Sequence, residues 1–202
     1  MQITDLYQTK ITCSTYNANI DSTDTVITVK LIDFNGNAVT NKSVTLTCDK
    51  GYFNKKGSTS ISGTTTKSIT LTTNSSGEIT GTWTASEWGL CTFSTNSSNI
   101  QVNVKGWKSY YNDSNYTVYY NDKLVTCLVH TGNVSTNSNW QEFHTILTAD
   151  WIKPSYHSCG MDRSGNCVVR ITGDTGKVGF KNVRNASETV GGVYCEIVWK
   201  LR

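Results

Sequence analysis

The feature that most constrains this chain is a pattern repeated from one end to the other. Short segments of alternating apolar and polar residues are separated by Gly- and Asn-rich turn signals. A period of two suits a half-buried strand, and no window of helical length carries an apolar stripe. Val44, Leu46 and Cys48 fall on one side of such a segment, and Cys91 and Phe93 on one side of another. The pattern predicts an all-β protein. Composition agrees: Thr, Ser and Asn dominate, with 16 Gly, 10 Tyr and 6 Trp, residues that favour strands and turns over helices.

In the first half, strands are expected at Lys10 to Tyr16, Val26 to Asp33, Ser43 to Cys48, Ser68 to Thr72, Gly77 to Ala85, Leu90 to Ser94 and Ile100 to Val104. Turns fall at Asn35-Gly36, Lys50-Gly51 and Ser76-Gly77, where Gly supplies the positive φ of a tight reversal. This count and spacing is that of an immunoglobulin-like sandwich. Past Val104 the texture changes: Lys105-Gly106-Trp107 leads into a Tyr- and Asn-rich stretch from Tyr110 to Tyr120, which places a boundary near Gly106. A chain of 202 residues has room for one or two cores, and two are expected here. Further strands are predicted at Tyr116 to Tyr120, Leu124 to Thr131, Phe143 to Leu147, Ser155 to Met161, Cys167 to Thr172, Lys177 to Lys181 and Val193 to Trp199. Hairpin signals stand at Asp162-Arg163-Ser164-Gly165-Asn166 and Gly173-Asp174-Thr175-Gly176.

Two resemblances add to this reading. Val26 to Val39, with its Asp33-Phe34-Asn35-Gly36-Asn37-Ala38-Val39 turn, is followed by Val44-Thr45-Leu46-Thr47, Gly51 and Thr72-Thr73-Asn74-Ser75-Ser76-Gly77. This series resembles the bacterial Ig-like repeats of invasin and intimin over residues 20 to 104. It implies a spacer or display domain, residues 1–105, without catalytic residues. Residues 116 to 199 resemble, more loosely, the C-terminal head of tail fibres and receptor-binding proteins of tailed viruses. The likeness rests on Val118-Tyr119-Tyr120-Asn121-Asp122-Lys123-Leu124-Val125, on Trp151-Ile152-Lys153-Pro154-Ser155 with the one Pro of the chain, on Val168 to Val178, and on the closing strand Tyr194 to Trp199. It implies a jelly-roll-like, antiparallel receptor-binding head, residues 106–202. Such a head would be homotrimeric, would bind a host cell-surface glycan or wall polymer, and would sit with other tail-fibre or baseplate proteins at the virion's tail-fibre tip. The four Cys of this half depart from that pattern. A cell-surface adhesin fragment is the alternative, and a tail-borne polysaccharide depolymerase a third reading.

Charge excludes some partners. The net charge of +3 is dispersed, without the Lys/Arg clusters a nucleic-acid partner requires. No run approaches the roughly 20 apolar residues that cross a bilayer, so membrane insertion is not expected. The start, Met1-Gln2-Ile3-Thr4-Asp5, lacks the basic and apolar regions of a signal peptide, which leaves a chain that is not exported or a fragment of a longer one. The seven Cys leave at least one thiol unpaired within a monomer. A bridge across the sandwich from Cys48 to Cys91 and buried reduced thiols are both open, with Cys13 a third inward-phased thiol.

No enzymatic role is expected. Glu142, Asp150, Asp162, Asp174, Glu188 and Glu196 form no recognisable pair for glycoside hydrolysis, and most fall by turns. Nothing flanking Cys159, Cys167, His130 or His144 resembles a thiol protease. Metal binding by His144, His157, Cys159 and Cys167 lacks the close Cys pairs of zinc sites; the spacing of Cys159 and Cys167 instead suits cross-strand neighbours on a hairpin. No metal or cofactor is therefore expected. Carbohydrate recognition needs flat aromatic faces beside polar groups, for which the candidates are Trp140, Trp151, Tyr156, His157 and Arg163. Each has a plainer alternative as a core or interface residue.

Overall fold

The computed structural model describes residues 7–132, 134–136, 139–156, 158–161, 167–183, 188–190 and 192–201. The chain divides into two compact units, Met1–Gly106 and Trp107–Arg202. Every regular element among the described residues is a strand, so the protein is all-β.

The N-terminal unit contains β1 (Tyr7–Cys13), β2 (Asn17–Asn19), β3 (Thr25–Asp33), β4 (Ser43–Cys48), β5 (Tyr52–Lys56), β6 (Thr59–Ser60), β7 (Ser68–Thr72), β8 (Glu78–Thr84), β9 (Gly89–Ser94) and β10 (Asn99–Lys105). They form two sheets, ordered β1-β3-β8-β5-β6 and β2-β10-β9-β4-β7. Alternation explains the sandwich: Ile27, Val29 and Leu31 of β3 and Trp83 of β8 meet Leu46 of β4 and Cys91 and Phe93 of β9 in one buried cluster. Trp83 is fully buried, stands edge-on to Phe93 at 5.1 Å, and donates its indole N–H to the Lys50 carbonyl at 2.9 Å. Gly51 follows with φ +66°; a Cβ there would run into the Thr84 carbonyl and the Trp83 indole. At the β3 turn the Asp33 carboxylate accepts the backbone N–H groups of Asn35 and Asn37 at 2.9 and 2.8 Å, which is the physical content of the Asp-x-Asn-Gly-Asn pattern.

The C-terminal unit contains β11 (Lys108–Asn112), β12 (Tyr116–Tyr120), β13 (Leu124–Thr131), β14 (Val134–Thr136), β15 (Gln141–Thr145), β16 (Ser158–Met161), β17 (Cys167–Ile171), β18 (Lys177–Asn182), β19 (Glu188–Val190) and β20 (Val193–Lys200). Sheets ordered β11-β12-β13-β20 and β15-β18-β17-β16 enclose a second core, and β14 pairs with β19. Val118, Cys127 and Ile197 from one sheet meet Val169, Ile171 and Phe180 from the other. Ile146, Leu147 and Ile152, from the segment after β15, complete it, and Trp199 donates to the Ile152 carbonyl at 2.7 Å.

Two expectations are corrected, and between the two alternatives open for Cys48 and Cys91 the structure gives reduced buried thiols. Cys48 and Cys91 lie in the same sheet, on adjacent strands where Cys48 is registered with Phe93, so no bridge spans the sandwich between them; all seven Cys are free thiols. Cys159 and Cys167 are not cross-strand neighbours. Cys159 is registered with Arg170 and exposed, whereas Cys167 is registered with Asn182 and buried, which puts them on opposite faces. The strand expected over 143–147 runs instead over Gln141–Thr145, because Ile146 and Leu147 leave the ladder to bond the Gly176 carbonyl. Cys13 is half-buried at the margin of the core, beyond the buried Ile11. The hairpin signal at 162–166 lies outside the described residues.

Candidate functional site

The most elaborate side-chain arrangement lies where the edge strands of the two C-terminal sheets meet, β11 of one and β15 of the other. Both are bulged. The register of β11 shifts between Ser109 and Tyr111, and that of β15 between Glu142 and His144. A bulge inserts one unpaired residue and re-aims the side chains around it. In β11 it allows Tyr110 and Tyr111, adjacent in sequence, to serve two neighbouring clusters.

The first cluster surrounds Trp151, which is 43% exposed. Tyr110 and Tyr120 approach its ring edge-on, with centroids at 5.8 and 5.1 Å. Tyr110 is pinned in turn: its hydroxyl accepts the backbone N–H groups of Thr148 and Ala149 at 3.2 and 3.1 Å and shares a hydrogen bond with the Thr148 hydroxyl at 2.9 Å. Burial acts to raise the Tyr110 phenol, yet these bonds hold it below its ordinary value. On the same segment, Lys153 reaches Asp150 at 3.0 Å and the Asp174 carbonyl at 3.2 Å. The result is an exposed indole on a braced aromatic base, flanked by charged groups.

The second cluster joins the two edges directly. The Tyr111 hydroxyl donates to Asp113 at 2.8 Å and meets His144 Nε2 at 2.7 Å. The His144 ring lies parallel to Tyr116, with centroids 5.8 Å apart. Asp113 also accepts the backbone N–H groups of Asn115 and Tyr116, both at 2.7 Å. Burial raises the Asp113 carboxyl, but the Asn115 N–H, the Tyr111 hydroxyl and nearby His144 bring it below the ordinary value. The same carboxylate raises the Tyr111 phenol. A phenol kept protonated is a donor rather than an activated nucleophile, so the trio is built as a brace. Next to it opens a hollow of about 430 Å³ lined by Asn115, Tyr116, Val134, Phe143 and Phe180. Among the described residues, no group of three or more His, Cys, Asp or Glu is placed to hold a metal ion.

Of the five residues proposed from sequence, Trp151 belongs to this seam. Trp140 does not join it by any described contact: it lies under the Arg170 guanidinium, 4.2 Å from the ring centroid, and Arg170 pairs with Glu142 at 3.0 Å. Tyr156 is 86% exposed, next to the segment that carries Trp151. His157 and Arg163 lie outside the described residues. Sequence reasoning missed Tyr110, Tyr111, Asp113, Tyr116 and Tyr120 as a group. The signal available was the Tyr-rich stretch itself, but its use depends on a bulge that no periodicity reveals.

No protein-family model matches the chain, and no curated protein matches it. Among solved structures, the Yersinia pseudotuberculosis adhesin InvE is similar to it, with 13% identity and a TM-score of 0.36. That similarity covers 92% of this chain and 58% of the InvE chain, so the chain spans less than two thirds of that structure's length.

Proposed function

We propose that the chain is an attachment protein whose C-terminal unit binds a cell-surface glycan or wall polymer and whose N-terminal unit serves as spacer. The observation that carries this reading is the Trp151 platform. A large flat ring is left exposed although two tyrosines and three hydrogen-bonding groups are spent on fixing its base. Sugar C–H faces stack on such rings, while a charged neighbour such as the exposed Asp150 takes hydroxyls. Binding without turnover is the activity such a surface supports.

The finer reading is a receptor-binding protein at the tip of a tailed-virus tail fibre. It is supported by the order of the two modules and by the head-like pattern from Val118 to Trp199. A coding neighbourhood of tail and baseplate proteins would bear it out. An export signal encoded upstream would overturn it in favour of a cell-surface adhesin.

The binding reading is tested with the full chain on an array of purified wall polysaccharides and on whole cells. Trp151→Ala is expected to weaken binding by about tenfold or more, the worth of one stacked aromatic anchor. A variant that binds as the unaltered chain does would overturn the assignment of the platform.

A further inference from the structure

Solvent-facing sheet surfaces are normally polar, and one face of the C-terminal unit mixes charged groups with exposed apolar ones. On the outward side of β11-β12-β13-β20, Leu124, Leu128, Tyr194 and Val198 are exposed by 38%, 37%, 57% and 50%. Their register is orderly. Tyr119, Thr126 and Val198 form a middle rung. Leu128 and Glu196 form the rung on one side of it, and Leu124 and Lys200 the rung on the other. One step further out, His130 stands beyond Leu128 and Asp122 precedes Leu124.

We propose that this face is an interface between two copies of the chain. They would be related by a two-fold axis that lies between the faces and crosses the strands at the middle rung. Such an axis reverses strand direction, so β20 faces β20 and β13 faces β13. Glu196 of each copy then meets Lys200 of the other, Leu124 meets Leu128, and Val198 meets its own equivalent. His130 is brought towards Asp122 of the second copy. Opposite charges and matching aliphatic groups stand at equal distances on either side of one rung, so the face is complementary to itself. Sheet twist sets facing strands about 30° apart, which makes the match closest at the centre.

The chemistry favours a second copy over a saccharide. The face also carries rings, Tyr194 and, beside Thr126 and Glu196, Tyr119 and Trp107, but its Leu124, Leu128 and Val198 are aliphatic and gain chiefly by losing water to other aliphatic groups, and its opposite charges match one another about the middle rung. A three-fold ring would join this face to a different patch and leave its internal symmetry unused.

The test is sedimentation velocity of the full chain at concentrations up to about 100 μM, where an interface of modest strength associates. A dimer is expected. Lys200→Glu and Glu196→Lys each turn two attractive pairs into two repulsive ones, and each should weaken dimerisation by about tenfold or more. The double exchange re-forms both pairs with reversed polarity and should restore the original affinity. Val198→Asp, at the middle rung, should give a folded monomer, with thermal unfolding curves checking that every variant folds. A chain that stays monomeric, one that sediments as a trimer, or a dimer indifferent to both single exchanges overturns the proposal. So does a monomer whose Leu128 and Val198 respond to added polysaccharide.

Discussion

The two units bury equally large cores and wear opposite surfaces. Each encloses a cluster of 18 buried hydrophobic residues among the described ones. Yet of the 13 large apolar side chains exposed among the described residues, the N-terminal unit has three, Tyr16, Phe34 and Leu90, and the C-terminal unit ten. On the outer rungs of β3 and β8 stand Thr28 opposite Thr80 and Lys30 opposite Glu78, the latter pair in contact at 3.0 Å. On β13 and β20 the corresponding positions hold Thr126 opposite Val198 and Leu128 opposite Glu196. The burial that drives folding is therefore similar in both, and what separates the two units is written on the faces that folding leaves in water.

The harshest test of that comparison removes the centre of one core and watches the other. Trp83→Ala deletes a fully buried indole, its edge-on contact with Phe93 and its bond to the Lys50 carbonyl. A loss of about 3–5 kcal/mol is expected. Calorimetry should show one transition falling and a second one unchanged. Two transitions that fall together would mean that the units do not unfold independently. Its counterpart, Trp199→Phe, keeps an aromatic ring but trims the indole and strands the buried Ile152 carbonyl, and about 1–3 kcal/mol is expected from the other transition.

What the sequence made legible follows the same physics. Strands whose alternation is backed by a core on one side, such as Ser43–Cys48, Ser68–Thr72, Tyr116–Tyr120 and Leu124–Thr131, have the bounds that their periodicity predicts. The strands that periodicity missed are short or irregular. β5 has Phe53 as its one buried residue, β6 is two residues long, and β11 is bulged. Periodicity misphases β15 because the apolar residues it follows, Phe143, Ile146 and Leu147, serve a bulge and the segment beyond the strand. The seam inherits that illegibility. Trp151 stood out as an aromatic residue near a loop, but its partners Tyr110 and Tyr120 come from separate strands. Tyr111 meets His144 only because two bulged edges converge.

Thiol titration sharpens the comparison with a smaller signal. Burial pushes Cys48 and Cys91 in one unit and Cys127 in the other up to about 12, from an ordinary 9.0. A folded value raised above the unfolded one contributes stability that is whole below pH 9 and is lost as pH climbs towards 12. Denaturant midpoints should therefore fall over that window in both units. At neutral pH, a thiol reagent should label the exposed Cys159 at once, the half-buried Cys13 slowly, and the five buried thiols only on unfolding. Rapid labelling of Cys48 or Cys91 would show that the N-terminal core opens locally and is the less closed of the two.

The smallest effect bears on what the seam is for. Tyr111→Phe removes one hydroxyl from between Asp113 and His144, at a cost of about 1 kcal/mol if the hydroxyl only braces the edge strands. Its pH dependence separates bracing from ligand contact. With its carboxyl held low, Asp113 contributes stability above the ordinary carboxylate range that is lost as pH falls through it. Without the Tyr111 bond part of that depression goes, so the variant's loss should be greatest near neutrality and shrink in acid. A brace predicts this convergence with polysaccharide binding reduced in step with the loosened edge. Full stability together with lost binding would instead make the Tyr111 hydroxyl a ligand contact and extend the binding surface from Trp151 to His144.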